Sequence, residues 1–374
     1  MKKPVLIFPA GMPRALDYLQ KCLREGRIVI GASSLRYDPS QEKYPAWVYL
    51  PYVTDPEFNR ALKQALEKFD IGEIYTPNIV VWNHLSQTLD KLNPGVVLAN
   101  TSPVDEAIDG YRVALIKARL LAANRLSLTS TVPSRPALSE VEVASLSRYA
   151  DIIPGMCDDD KFHALLEIAR HSVNGDLVEI GSWWGKSAFI LARLARCFGI
   201  GKLLCVDPWK NEHLVQGEKM VDSGSAQVDA DEALTVFQIG LLPFNCNHIN
   251  YLRLTSVEAA AYYRRERSVS TRAFGHTEYT GKISILHIDG NHAYEAARAD
   301  VESWEELVLG GGWIIIDDYI WPYGDGPKKV GDEFLERNRS RVSTAFVMGT
   351  ALFIQLTHTG LLNTLPRAVK SLTS

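Results

Sequence analysis

The sequence predicts two α/β units, the second of them a seven-stranded, doubly wound sheet with helices on both faces. Three observations carry this. Short apolar runs alternate with amphipathic helical stretches over the first hundred residues, the pattern of a small parallel sheet covered by helices. The run Leu177-Val-Glu-Ile-Gly-Ser-Trp-Trp-Gly-Lys-Ser187 ends a buried strand in an acid, breaks at glycine and restarts as a helix. Near the end, two apolar runs at 343–348 and 351–356 are separated only by Gly349-Thr350, the signal of an antiparallel hairpin.

In the first unit, Val5-Leu-Ile-Phe8 reads as a strand and 13–25 as a helix. Strand 28–33, helix 56–69, strand 74–75, helix 81–92 and strand 96–98 follow. The turn Phe8-Pro-Ala-Gly-Met-Pro13 has one glycine, too little to mark a nucleotide site. Residues 103–150 read mainly as helix, broken at Thr131-Val-Pro-Ser-Arg-Pro136, whose two prolines mark a connector. The expected organisation is therefore a small domain over 1–125, a helical connector over 126–155 and a larger domain over 156–374. Asp158-Asp-Asp160 caps a helix running through 169 and reads as a solvated turn.

The second unit alternates strand and helix in order. Strand 177–180, helix 187–198, strand 203–206, helix 232–242 and strand 249–252 come first. Helix 257–266, strand 283–288, helix 294–307 and strand 313–316 then complete five parallel strands, which the terminal hairpin closes. The polar stretches 210–231 and 267–280 read as mobile lids over a site.

Ligands of such sheets sit at the carboxyl ends of the strands, so the acids there matter most. Gly181 and Gly185 allow tight turning and close approach of a ligand to the backbone. Asp207 ends the second strand, at the spacing of an acid that accepts ribose hydroxyls; an ordinary buried strand and glycine turn is the competing reading. A phosphate-binding loop is excluded by spacing: Gly, four residues, then Gly-Lys-Ser is required, and only three residues separate Gly181 from Gly185. The fourth strand ends in Asp289-Gly-Asn-His292 and the fifth in Asp317-Asp318. Three carboxylates at neighbouring strand ends repel unless a cation sits among them. Mg²⁺, a hard ion with oxygen ligands, meets that need, and a solvated acidic loop is the alternative. Both Asp317 and Asp318 can take part only if the chain turns there. His292 is placed to take a proton from a hydroxyl, or else to cap the next helix. The other eight histidines have no comparable company. Tyr319, Trp321 and Tyr323 suggest an aromatic wall suited to a sugar face.

Glu179-Ile-Gly-Ser-Trp-Trp-Gly185 with Asp207 resembles a class I S-adenosylmethionine-dependent methyltransferase, a Rossmann-like fold. Asp289-Gly-Asn-His-Ala-Tyr-Glu295, Asp300, Trp304, Gly311-Gly312 and Asp317-Asp-Tyr319 make it similar to the metal-dependent sugar O-methyltransferases of macrolide pathways, over about residues 150–357. The resemblance implies methyl transfer from S-adenosylmethionine to a hydroxyl, Mg²⁺ or another hard divalent cation on Asp289, Asp317 and Asp318, and His292 as base. It implies cofactor contacts at Glu179, Gly181, Ser182, Trp183, Gly185, Ser187 and Asp207, with Ser256 against adenine. Trp184-Gly-Lys-Ser187 departs from the more polar loop usual in the family. The first unit resembles the domain that precedes the ATP-grasp fold in carboxylate–amine ligases, although nothing after it looks like their ATP-binding part.

A net charge of −4 on 374 residues gives no electrostatic case for nucleic acid or an anionic membrane. No apolar run approaches the roughly 20 residues of a membrane helix, and no signal core follows Met1-Lys-Lys-Pro4. Five scattered cysteines without CxxC spacing suit reduced thiols and give no zinc site. The expectation is a cytoplasmic homo-oligomer acting on a small hydroxyl acceptor, a sugar by preference. A catechol-type acceptor and a non-catalytic protein that only binds S-adenosylmethionine stay open. An iron hydroxylase would want two histidines beside a carboxylate, and only His292 is near.

Overall fold

The structure, a computed structural model, describes residues 3–357. The chain divides into two compact units, Met1–Val113 and Ala114–Ser374. In the first, strands β1 (Val5–Ile7), β2 (Val29–Ser33), β3 (Ala46–Tyr49), β4 (Glu73–Tyr75) and β5 (Val97–Leu98) form one sheet in the order β3-β2-β1-β4-β5. All its pairings are parallel. Helices α1 (Pro13–Arg24), α2 (Phe58–Lys68) and α3 (Ile79–Leu92) cover it, and two apolar clusters lie on its two faces. Strand β3 was not expected; it is a half-exposed edge strand, although its Ala-Trp-Val-Tyr run is apolar and β-prone.

Helix α4 (Pro103–Ala123) carries the boundary between the units. Helix α5 (Glu140–Ala150) lies in the stretch expected as a helical connector. A capping box of Ser139 and Glu142 starts it, and Val143, Leu146 and Ala150 join the main core of the second unit.

That unit contains helix α6 (Asp159–Arg170), strand β6 (Asp176–Ile180), helix α7 (Lys186–Phe198), strand β7 (Leu203–Val206), helices α8 (Lys219–Ser225) and α9 (Ala230–Leu241) and strand β8 (Ile249–Leu252). Helix α10 (Ser256–Glu266), hairpin strands β9 (Ser268–Thr271) and β10 (Gly275–Glu278), strand β11 (Ile283–Ile288) and helix α11 (Tyr294–Trp304) follow. Strand β12 (Val308–Ile316), helix α12 (Gly326–Arg337) and strands β13 (Val342–Met348) and β14 (Ala351–Leu356) complete it. The sheet order is β13-β14-β12-β11-β6-β7-β8, five parallel strands closed by the antiparallel β14 and β13. The seven-stranded expectation is met.

Strands β6, β7 and β11 are buried on both faces, so they read as nearly unbroken apolar runs. Alternation still sorts their side chains. Leu177, Leu203, Ile285 and Ile315 face the core shared with α6 and α7, whereas Val178, Leu204, Leu286 and Ile316 face that of α10–α12. Polar residues at odd positions near the strand ends therefore point toward α6.

The stretch 267–280 is not a lid. It forms the β9–β10 hairpin, pinned beside β8 by Asn250, whose amide donates to the carbonyls of Val269 (3.0 Å) and Gly275 (2.9 Å). Just after it, the backbone N–H groups of Thr280 and Gly281 donate to Asp176 at the start of β6, the end of the sheet opposite the ligand-binding edge. The stretch 210–231 does lie beside the strand ends, where Asn291 donates to the Val215 carbonyl (2.8 Å). Among the described residues no helix is long and apolar enough to cross a membrane.

Candidate active site

The loop from β6 to α7 is shaped by three residues with positive φ: Gly181 (81°), Trp183 (45°) and Gly185 (93°). Gly181 sits where the β6 and β11 loops touch; a Cβ there would lie 2.0 Å from the Asp289 carbonyl oxygen. Gly181→Ala is therefore expected to cost on the order of 3 kcal/mol, from strain plus overlap with unyielding backbone, and to spoil both loops together. Thermal melts and S-adenosylhomocysteine calorimetry on the variant check this; an unchanged melt and affinity would refute it. Gly185 caps α7, with Phe237 and Leu241 filling the space a side chain would need.

Asp207 supports that loop from β7. Its oxygens accept the backbone N–H of Trp183 (3.0 Å) and of Trp209 (2.7 Å), and the indole of buried Trp209 donates to the Trp183 carbonyl (3.0 Å). Burial raises the Asp207 pKa, and the two backbone donors hold it back. A carboxylate has about four acceptor directions, so each oxygen keeps one for a ligand.

Glu179 and Ser182 are fully or almost fully buried, and Glu179 Oε2 and Ser182 Oγ have no hydrogen-bond partner among the described residues. Buried polar atoms left orphaned are costly and call for a bound partner. Ser187 is buried in the first turn of α7. The hydroxyl of Ser256, the residue expected against adenine, accepts from the Trp304 indole (3.0 Å) and bonds Asp300, both on α11.

The acids ending β11 and β12 do converge. Two groups have ligand atoms within 4.8 Å of one another: His287, Asp289 and Asp317, and Asp289, His292 and Asp318. The chain turns at Asp318 (φ 50°), the turn needed to bring both adjacent aspartates into play. His292 Nε2 lies 3.0 Å from Asp318 Oδ2. Facing a carboxylate, that nitrogen carries the hydrogen, and Nδ1 becomes the basic atom of the neutral ring. Nδ1 is buried and has no partner among the described residues. The ring packs edge-on to Trp321 (4.4 Å between centroids), which meets Tyr323 in turn (5.5 Å). Tyr319 does not join that wall: it is buried, and its hydroxyl donates to Asp332 (2.6 Å) on α12.

Two residues of the site were missed. His287 does have company, contrary to expectation. Fully buried, it bridges Glu179 Oε1 (3.1 Å, Nδ1) and Asp317 Oδ2 (3.2 Å, Nε2). Burial would lower its pKa, but the bonds to Asp317 and Glu179 push it up to about 10, so the ring is a cation. Lys161, in the first turn of α6, forms a buried ion pair with Asp317 and lies 3.9 Å from Asp289. Burial opposes its charge, yet the Asp317 and Asp289 carboxylates raise its pKa. Asp317 is held well below the usual carboxylate range: burial works against it, and Lys161 and His287 outweigh burial. Asp289 is pushed well above that range by removal from water and by the charge of Asp317. Four acidic side chains (Glu179, Asp289, Asp317, Asp318) thus gather around Lys161 and His287, and the oxygens of Asp289 and Asp318 are of the kind a hard divalent cation takes.

Residues 178–319 match the model of a methyltransferase domain family. Among solved structures, the chain is similar to the O-methyltransferase NovP (15% identity, 67% of this chain and 100% of that one, TM-score 0.38). It is similar to CalS11, a TDP-rhamnose 3′-O-methyltransferase of calicheamicin biosynthesis (14%, 69% and 96%, TM-score 0.37). A third is the MycE methyltransferase in complex with Mg, SAH and mycinamycin VI (15%, 59% and 56%, TM-score 0.36). On the family match, residues 178–319 of the second unit are a methyltransferase domain.

Proposed function

We propose that this enzyme is a Mg²⁺-dependent O-methyltransferase acting on a hydroxyl of a sugar or a glycosylated natural product. The observation that carries the reading is the carboxylate pocket of Asp289, Asp317 and Asp318 beside His292, at the strand ends next to the glycine loop. When bound, S-adenosylmethionine supplies a methyl group on a sulfonium, and the cation supplies charge that favours an ionised acceptor. The protein's own part is alignment and proton removal. Glu179, Ser182 and Asp207 have buried acceptor positions open to the cofactor, and His292 Nδ1 takes the acceptor's proton while Asp318 steadies the ring. Trp321 and Tyr323 give an apolar face against which a sugar can rest.

Transfer of labelled methyl to nucleotide sugars, glycosides and catechols, with Mg²⁺ or with EDTA, tests the proposal. Transfer to a sugar hydroxyl that EDTA stops is expected; transfer to catechols alone, or transfer indifferent to EDTA, would overturn it. Asp207→Ala is expected to weaken S-adenosylhomocysteine binding roughly 10–100-fold, the worth of charged hydrogen bonds of about 1.5–3 kcal/mol. Calorimetry reads this directly, and an unchanged affinity would remove Asp207 from the cofactor site.

A further inference from the structure

The carboxylate pocket divides in two. On the inner side, every acceptor direction of Asp317 is faced by a donor. Oδ2 pairs with Lys161 and accepts from His287 (3.2 Å); Oδ1 accepts the Asp318 N–H (3.0 Å) and, at the limit of contact, the Thr350 hydroxyl (3.4 Å). A carboxylate has about four such directions, so none is left over. On the outer side the opposite holds. Asp289 accepts no hydrogen bond among the described residues; the basic group that pairs with it is Lys161, at 3.9 Å. Asp318 meets His292 through Oδ2, and no donor among the described residues reaches its other oxygen. The side chains of Asp289 and Asp318 are 23% and 22% exposed, against 2% for Asp317 and 5% for Lys161.

We propose that Lys161 is the resident cation of the pocket: its ammonium permanently neutralises Asp317, and the divalent cation is seated on Asp289 and Asp318. Lys161 is built in rather than incidental. It lies in the first turn of α6, where its own N–H donates to the capping Asp158 (2.7 Å). Leu165 and Ile168, one and two turns on, bury the same face of the helix in the main core. An ammonium held there cannot leave Asp317 without stranding a buried charge. Asp317 is then a positioning residue: it ties Lys161 to His287, and through His287 to Glu179 on the cofactor side. The open oxygens at the mouth of the pocket are where water and acceptor can reach a cation.

This inference rests on the proposed cation dependence, and Mn²⁺ binding to the full chain, followed by calorimetry and by the paramagnetic signal of the ion, separates the two. Asp289→Asn and Asp318→Asn are each expected to weaken Mn²⁺ binding at least tenfold. The double variant Lys161→Met with Asp317→Asn removes the inner pair without net change in charge, and its Mn²⁺ affinity is expected to stay within about threefold of the wild type. Loss of Mn²⁺ in the folded double variant, to the extent seen for Asp318→Asn, would overturn the inference while leaving the cation reading intact. No Mn²⁺ binding by the wild type would overturn both. Should the double variant fail to fold, Lys161→Met alone decides: removing the neighbouring positive charge should tighten Mn²⁺ at least threefold, and an equal or weaker affinity would refute the assignment.

Discussion

His292→Ala is expected to lower kcat by roughly 10²–10⁴-fold, the usual range for loss of a general base, while S-adenosylhomocysteine affinity changes by less than about threefold. The reason lies in how the ring is held. Asp318 fixes the hydrogen on Nε2, so Nδ1 keeps its lone pair, and no donor among the described residues satisfies it. A nitrogen that is basic, buried and unpartnered is poised to accept a proton from a ligand rather than from the fold. Glu179, Ser182 and Asp207, which have acceptor positions open to the cofactor, lie on or just after other strands, so deleting the imidazole leaves them in place. Single-turnover transfer of labelled methyl, with cofactor affinity measured in parallel, distinguishes loss of chemistry from loss of binding. Turnover within threefold of the wild type would remove the base assignment. A parallel fall in cofactor affinity would show that His292 shapes the pocket instead.

Much of this site could be read from the chain because parallel strands buried on both faces leave long apolar runs. The runs 203–206, 249–252 and 283–288 were expected with the bounds observed, and Asp207 and Asp289, which follow the first and the third, mark the sheet's ligand edge. Lys161 escaped because its partner Asp317 is 156 residues away and its neighbours in sequence are acids that suggest a solvated turn. A signal was present: positions 161, 165 and 168 share one helical face, and a lysine heading an apolar stripe needs a buried counter-charge. His287 carried a comparable signal, a titratable residue inside an otherwise apolar strand. The β9–β10 hairpin was not legible locally. Its polar residues satisfy strand periodicity only weakly, and it is held in place by Asn250 of β8, on the far side of helix α10 in sequence. Strand β12 begins five residues before its expected start at Trp313, because Gly310, Gly311 and Gly312 carry no apolar side chains to extend the run. Gly312 sits in the strand where β11 shifts register, with a would-be Cβ 2.9 Å from both the Leu309 and the Ser284 carbonyl oxygens.

Asp300→Asn is expected to raise the melting temperature by roughly ten degrees at pH 8 and to leave it nearly unchanged at pH 4. Asp300 is buried on α11 beneath the loop that carries Gly290, and burial raises its pKa from 3.8 to about 7, with the Ser256 hydroxyl opposing the shift. Below about pH 4 the carboxyl is protonated in both the folded and the unfolded chain, so it adds no pH dependence. Between about pH 4 and 7 the unfolded chain ionises and the folded one does not, and stability falls by about 1.4 kcal/mol per pH unit. Above pH 7 the full penalty, on the order of 4 kcal/mol for a shift of about three units, persists. Asparagine keeps a polar side chain of the same shape beside Ser256 and has no charge to bury, so it escapes the penalty. At about 2–4 °C per kcal/mol for a unit of this size, the gain is a shift of roughly ten degrees. The test is the difference in melting temperature between variant and wild type, followed from pH 4 to pH 8. A difference that does not grow with pH would mean that Asp300 ionises freely in the folded protein and that the loop above it is open to water.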